Sequence, residues 1–301
     1  MTENMTENMI DLTNLKIDIA KKNKITQPII KGIDLTIPKG EIVGVVGESG
    51  SGKSMTMKGI MNILPVGSKM TYNSFLFDGK VINKEDRIPA AMIFQDPMTS
   101  LNPLRTIGFH LIEVVVRHQK VSKKEARELA ILELEKVGIT YPEKRMTQYP
   151  HELSGGMRQR IMIAMALLAK PKLLIADEPT TALDVTIQAQ ILDLIRKLQK
   201  EEELTVVLVT HDFGVLAGMC QSIRVMYDGK IVEEGTIDEV FYNPSHTYTK
   251  ELLKAIPTGD KGDRLYSLNK SEVIDVNQEG LQMIELSPTH KILANRGDKN
   301  A

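Results

Sequence analysis

The chain has 301 residues, 42% of them hydrophobic, so it can bury one large core and a smaller satellite core. Its 38 basic and 39 acidic side chains nearly cancel, which excludes a global field that attracts nucleic acid or an anionic bilayer. The single cysteine, Cys220, excludes an internal disulfide and a cysteine-based metal centre, and we interpret it as a core or helix residue. The longest apolar run, residues 161–169, is too short to span a bilayer, and the polar residues 1–5 do not resemble a signal peptide; we therefore expect a cytoplasmic protein.

The first predicted elements are a frayed start and two strands. Residues 1–8 repeat the sequence Met-Thr-Glu-Asn twice and are predicted to be disordered. Residues 15–19 and 33–37 alternate apolar and polar side chains, as one face of an antiparallel sheet does.

A glycine-rich loop follows the apolar run at 42–46, which is predicted to be a buried strand. The loop consists of Gly47, Glu48, Ser49, Gly50, Ser51, Gly52, Lys53 and Ser54. Its glycines let successive backbone N–H groups point at an anion, and a helix beginning near Lys53 adds its positive end. Lys53 is then placed to reach the β- and γ-phosphates and Ser54 to ligate Mg²⁺. The alternative is a surface turn, which the full spacing between a strand and a helix disfavours.

Helical signals dominate the middle of the chain. Ser122 and Glu125 form a predicted capping box, the side chains of Ala126, Ala130, Leu134 and Val137 share one face, and Gly138 ends the helix. Further along, Ser154 is predicted to cap an apolar helix whose first turn contains Gly155 and Gly156. The free N–H groups of that turn make a second potential anion site.

Two carboxylates end the next apolar run, at residues 173–176. Asp177 is suited to the Mg²⁺ shell, and Glu178 is suited to accept a proton from the water that attacks the γ-phosphate. A pair of acidic residues after a strand is more often a solvated turn. The phosphate loop upstream favours the catalytic interpretation.

These segments resemble, in order, the motifs of the ATP-binding-cassette (ABC) ATPases over about residues 9–245. By this resemblance, residues 153–160 are the signature segment, which serves the ATP of a partner subunit. Residues 94–97 are the glutamine loop, residues 181–184 are the loop at the dimer interface, and His211 is the family's histidine. It implies that Gln95 touches Mg²⁺ and the attacking water, and that His211 senses the γ-phosphate. The implied nucleotide contacts are residues 47–54, Met55, Ser154, Gly155, Gly156, Gln159 and Asp184. The implied Mg²⁺ ligands are Ser54, Gln95 and Asp177.

The implied fold is α/β, with the mixed-sheet core of a P-loop NTPase (RecA-like), an antiparallel β subdomain and an inserted helical subdomain at about 97–165. The ATPase domain is expected at 9–250 and a tail at 251–301. In the strand at 15–19, Ile19 aligns with the aromatic residue on which most cassettes stack adenine, and no aromatic residue precedes Tyr72.

Finer features resemble the oligopeptide, dipeptide and nickel importers. These are the stretches 95–103, 150–160 and 243–249; residues 54–56 and 176–184 resemble the first of the two paralogous ATPase subunits of such importers. The implied partners are the second ATPase subunit, two transmembrane permeases and an extracytoplasmic solute-binding protein, with no nucleic acid. Many relatives bind an iron–sulfur cluster in the tail, but this chain has no cysteine after Cys220, so we expect none. The stretch 285–290 still resembles the end of the tail.

We therefore expect an ATPase, using ATP and Mg²⁺, that energises a membrane importer from the cytoplasmic face of the membrane. Peptides rank first as its cargo, and nickel or a metal chelate second. One alternative is a soluble cassette ATPase acting on DNA or ribosomes, but the chain has neither sustained heptads nor tandem cassettes. Another is an inactive regulator, against which Lys53, Asp177, Glu178 and His211 argue.

Overall fold

The computed structural model describes residues 7–20, 26–96, 100–181, 183–255, 273 and 275–295. The chain divides into two units: unit 1 comprises residues 1–88 and 207–301, and unit 2 comprises residues 89–206. Within the described ranges, no helix combines the length and apolar character needed to cross a bilayer.

An antiparallel sheet in unit 1 is built on a long hairpin. β1 (Asn8–Ala20) pairs with β2 (Thr26–Pro38) on one side and with β4 (Ser68–Thr71) and β5 (Ser74–Phe77) on the other. β5 also pairs with β6 (Lys80–Val81). The strands predicted at 15–19 and 33–37 are confirmed as parts of these longer antiparallel strands. Their buried side chains are Leu15, Ile17, Ile33, Leu35 and Ile37.

A second sheet in unit 1 is mixed, as predicted. β3 (Ile42–Val46), which is buried throughout, pairs in parallel with β10 (Ser222–Tyr227). β11 (Lys230–Thr236) runs antiparallel to β10, and β13 (Lys291–Asn295) adds to β11 as part of a hairpin with β12 (Leu281–Glu285). On the other side of β3 lies β9 (Thr205–Thr210), of which residues 207–210 belong to unit 1.

The helices of unit 1 follow the strand ends. α1 (Lys53–Ile60) comes after the loop that leaves β3, and α7 (Phe213–Met219) comes after β9. α8 (Ile237–Tyr242) and α9 (Thr247–Lys254) follow β11. Cys220, at the end of α7, is buried in this core as predicted, and burial raises the pKa of its thiol to about 12.

Unit 2 combines two parallel strands with helices. β7 (Ala90–Ile93) pairs in parallel with β8 (Leu173–Asp177). Between them in sequence come α2 (Ile107–Gln119), α3 (Lys123–Lys136), α4 (Pro142–Arg145) and α5 (Gly155–Leu168), and α6 (Val185–Glu201) follows β8. Most of these helices fall in the stretch predicted to be a helical subdomain.

The N-cap of α3, one half of the predicted capping box, is confirmed. The Ser122 hydroxyl accepts a hydrogen bond of 3.2 Å from the Glu125 N–H. The apolar face formed by Ala126, Ala130, Leu134 and Val137 is fully buried. Gly138 has a φ of +79°, the left-handed conformation that commonly follows a helix end.

Two predicted boundaries fall inside elements of the structure. The expected disordered start, 1–8, includes Asn8, which belongs to β1 because its backbone pairs opposite Pro38. The expected domain boundary at 250 falls inside α9. The predicted apolar segment at 281–284 forms β12, whereas the polar stretch 258–270 and Ile274 of the predicted apolar pair 273–274 lie outside the described residues.

Candidate functional site

The glycine-rich loop leaves the buried end of β3 in a tight curve. Gly47 has a φ of +153°, and a Cβ atom there would lie 2.1 Å from the backbone oxygen of Met226, so no other residue fits. Gly52 has a φ of +108° and caps α1 without a side chain over the helix end. The loop therefore presents the beginning of α1 directly, as an anion site requires.

Lys53 is folded back inside this loop. Its side chain is buried, and Nζ donates to the backbone oxygens of Gly47 at 2.7 Å and Glu48 at 2.8 Å. The buried Ser51 hydroxyl lacks a hydrogen-bond partner among the described residues. A phosphate group would supply acceptors for both side chains, so the loop fits the predicted ligand.

The second residue of the loop has a contact that the sequence did not indicate. The Glu48 N–H donates to the hydroxyl of Tyr248 at 3.0 Å, and Tyr248 is fully buried at the start of α9. This N–H is therefore directed at a side chain of the protein. The backbone amides that follow Glu48 in the loop remain the predicted phosphate contacts.

Two other predicted residues lie in unit 1. His211 is exposed directly after β9, the neighbour of β3, and Asp212 caps α7 through a 2.8 Å hydrogen bond from Gly214 N–H. Ile19 is half-buried near the end of β1, opposite Gln27 of β2. Its alignment with the position that stacks on adenine in most cassettes stays a prediction.

In unit 2 the predicted catalytic side chains meet at the end of β8. Asp177 is buried as the last residue of this strand, and Glu178 follows it half-buried with a φ of +48°. Gln95 Nε2 donates to Glu178 Oε2 at 2.7 Å, and the Thr181 hydroxyl donates to the same oxygen at 2.9 Å. This geometry leaves the Gln95 carbonyl oxygen as the amide atom suited to a cation or water.

The signature segment begins α5 as predicted. The Ser154 side chain accepts a hydrogen bond of 3.3 Å from the Met157 N–H. A Cβ atom on Gly156 would lie 2.8 Å from Ile187 of α6, so this glycine permits close packing of the two helices. Gln159 is buried, and its predicted nucleotide contact stays a prediction from the sequence.

The interface loop leads into α6. Asp184 is exposed and caps this helix by accepting a 3.0 Å hydrogen bond from Ile187 N–H. The next residue, Val185, is an exposed apolar side chain.

The polar groups of the predicted site suit the phosphates of ATP and Mg²⁺. The loop at 47–54 offers backbone N–H groups, a hydroxyl and one ammonium to an anion. Ser54, Gln95 and Asp177 carry the oxygen donors that Mg²⁺ prefers. Tyr248 was missed as a site residue because its contact with Glu48 spans 200 positions in sequence. Thr181 was missed because its contact with Glu178 forms in a turn, which has no periodic pattern.

Two family models match the chain. Residues 30–181 match the model described as "ABC transporter", and residues 232–280 match "Oligopeptide/dipeptide transporter, C-terminal region". The second match ends just before β12, so the terminal hairpin lies beyond it.

Curated relatives agree with these models. The chain is 51% identical to the oligopeptide transport ATP-binding protein OppD of Bacillus subtilis over 243 residues, which is 76% of this chain and 66% of that protein. It is 47% identical to the dipeptide transport ATP-binding protein DppD of the same organism, over 84% of this chain and 78% of the relative. The identity to the oligopeptide transport ATP-binding protein AmiE of Streptococcus pneumoniae is 48%, over 79% of this chain and 70% of the relative.

Solved structures show the same fold. CbiO1 of Clostridium perfringens, part of the ABC transporter complex cbiONQ, is 28% identical with a TM-score of 0.67, over 79% of this chain and 92% of that one. The ATP-binding cassette MJ0796, in a dimeric post-hydrolysis state bound to ADP and Pi, is 30% identical with a TM-score of 0.66, over 76% of this chain and 99% of that one. With its P-loop, its carboxylate-ended strand and its capped signature helix, the chain belongs to the ABC transporter family of ATPases, in the branch of the oligopeptide and dipeptide ATP-binding proteins.

Proposed function

We propose that this chain is the ATP-hydrolysing subunit of a membrane importer for peptides. The observation that carries the proposal is the contact between Gln95 and Glu178, because a side-chain pair suited to activating water is intact in a chain of this family. The names of the similar proteins support peptides as the cargo.

Each predicted residue has a role in this proposal. Lys53 and the loop amides would bind the β- and γ-phosphates. Ser54, Gln95 and Asp177 would hold Mg²⁺, which would offset phosphate charge. Glu178 accepts a proton from the attacking water, while Gln95 holds that water through its carbonyl oxygen. His211 donates to the γ-phosphate.

A second ATPase subunit completes the proposed assembly. The positive start of α5, capped by Ser154, is directed to the ATP of this partner, and Asp184 and the exposed Val185 lie at the contact. Dimers of a similar cassette support this arrangement. We propose that the partner is the second paralogous subunit of the importer.

The permeases are proposed to dock on unit 2. A cavity of about 270 Å³ is bounded there mainly by apolar side chains, including Met92, Phe94, Leu101, Met162 and Met165. Methionine side chains adapt to a partner's shape, and Phe94 directly precedes Gln95, so a docked permease helix can influence the catalytic pair. We propose that this contact holds the chain at the cytoplasmic face of the membrane and that a solute-binding protein delivers peptide on the opposite face.

Uptake by a deletion strain tests the proposal. Cells lacking the gene are expected to lose uptake of a labelled tripeptide, to regain it with the wild-type chain, and to keep normal uptake of radioactive nickel. Loss of nickel uptake alone would assign the metal as cargo. Normal uptake of both would contradict a role in import and favour the soluble class of cassette ATPase.

A further inference from the structure

The peptide unit between Gly47 and Glu48 is held at both ends. Its carbonyl oxygen, on Gly47, accepts from Lys53 Nζ at 2.7 Å. Its N–H, on Glu48, donates to the Tyr248 hydroxyl at 3.0 Å. A peptide unit is rigid and planar, so these two hydrogen bonds fix its rotation and with it the direction of the loop that follows.

Tyr248 is itself held firmly. It is fully buried, and its ring lies against that of Tyr227 with 4.3 Å between the ring centroids. Its backbone N–H donates to Nδ1 of His246, the residue that caps α9, at 3.1 Å. The hydroxyl therefore has little freedom to leave the loop.

The start of α9 is anchored by a buried carboxylate. Glu233 of β11 is fully buried and accepts hydrogen bonds from Ser245 N–H at 2.7 Å and His246 N–H at 3.1 Å. His290, in the turn of the terminal hairpin, donates from Nε2 to the same carboxylate at 2.7 Å.

The terminal hairpin is fixed to the same region. β13 pairs with β11 at Glu233 itself, opposite Ile292. Ser287 and Thr289 in the hairpin turn donate to Glu239 of α8 at 2.7 and 2.9 Å. A continuous series of contacts thus runs from the hairpin through Glu233 to α9 and the phosphate loop, all within unit 1.

We propose that Tyr248 is a positioning residue for the phosphate-binding loop, and that the C-terminal segment holds it in place. This inference rests on the proposed function, because it assumes that the loop binds ATP. Without the hydroxyl, the N–H of Glu48 loses this hydrogen bond, and the peptide unit is held less firmly against rotation. Phosphate must then order the loop when it binds, and the free energy that this ordering costs lowers the affinity for phosphate.

Tyr248→Phe tests the proposal, because it removes the hydroxyl and keeps the ring. We expect the dissociation constants of ATP and of inorganic tripolyphosphate, measured by calorimetry on the full chain, to rise by about five- to tenfold, the effect of one lost hydrogen bond. In the assembled importer, KM for ATP should rise while kcat stays within about twofold, since the hydroxyl does not touch the reacting atoms.

Tyr227→Phe is the matched control. It removes a hydroxyl from the ring that packs at a tilt against Tyr248, and it is expected to leave both dissociation constants unchanged. His246→Ala keeps the hydroxyl but removes the cap of α9, and we expect it to weaken ATP binding by only about twofold. Because affinity is measured well below the unfolding temperature, a loss of folding stability alone does not change it.

Three results would overturn the inference: wild-type affinity in Tyr248→Phe, an equal loss in Tyr227→Phe, or a loss for ATP that tripolyphosphate does not share. Failure of the wild-type chain to bind ATP would instead overturn the proposed function, so the two failures are distinguishable.

Discussion

Glu178 has a backbone conformation that a glutamate rarely adopts. Its φ of +48° costs about 1–2 kcal/mol relative to the ordinary helical region, so the surrounding structure must hold it there. Hydrogen bonds from Gln95 and Thr181 to one carboxylate oxygen do so at the side chain. The strain therefore occurs at the residue to which we assign proton transfer.

Glu178→Gln should separate nucleotide binding from hydrolysis. The amide keeps the shape of the side chain but cannot take a proton, so we expect hydrolysis to fall by roughly 10²- to 10⁴-fold at unchanged ATP affinity. Phosphate release by the subunit assembled with its partner measures this. Glu203→Gln is the control, since Glu203 is an exposed glutamate with a φ of +51° in the same unit. Normal hydrolysis in Glu178→Gln would make His211 the leading candidate for the base.

His246 gives the C-terminal segment a predicted acid sensitivity. Burial lowers the pKa of this histidine to about 4, below its ordinary value of 6.5. The unfolded chain then binds a proton that the folded chain excludes, so stability is complete above about pH 6.5 and is lost as the pH falls toward 4. Between pH 7 and pH 5 the loss should approach about 2 kcal/mol.

Denaturant unfolding of the wild type and of His246→Asn at both pH values measures this contribution. Asparagine is a strong N-cap and does not titrate, so it should keep the cap of α9 and reduce the pH-dependent loss by most of that amount. An identical loss in wild type and variant would show that other groups cause the acid sensitivity.

Among the elements, α5 is the one whose local sequence most directly predicts a contact with a partner subunit. Ser154 caps it and Gly156 permits its contact with Ile187 of α6, so its start is both open and rigidly placed. An open helix start favours an anion, and a cation placed there opposes it.

Ser154→Arg should therefore abolish hydrolysis of the partner subunit's ATP, which the start of α5 is proposed to contact. ATP binding to the Lys53 loop of the same chain should stay intact. Nucleotide affinity of the isolated subunit and turnover of the assembled dimer are the two measurements. Ser122→Arg is a matched control, because Ser122 caps α3 with the same geometry outside the signature segment. Loss of ATP binding by isolated Ser154→Arg would show that Ser154 supports its own site or the fold.

Elements with a complete local signal were predictable from sequence. The cap, buried face and terminal glycine of α3 depend on neighbours along the helix, and each was confirmed. The terminal hairpin had only a weak apolar signal at 281–284, because much of its stability comes from pairing with β11 and from the buried Glu233. Such partners are distant in sequence and leave no local pattern.

For the molecule as a whole, the order of the motifs along the chain predicted the family and the fold, and the matching family models, relatives and solved structures confirmed both. The proposed catalytic pair, Gln95 and Glu178, was predicted from sequence, but the hydrogen bond between them was not, because 83 positions separate the two residues. The support of the loop by Tyr248 was hidden for the same reason. Its segment, 243–249, had been singled out only as a mark of the subfamily.

Peptide import driven by ATP hydrolysis can be measured directly in a purified system. The most direct test reconstitutes the subunit with its partner ATPase and permeases in vesicles and measures accumulation of a labelled peptide delivered by the solute-binding protein. We predict accumulation that requires ATP and falls at least about 100-fold with Glu178→Gln, in line with the loss of hydrolysis. Accumulation without ATP, or at the wild-type rate with Glu178→Gln, would show that ATP hydrolysis by this chain does not drive import.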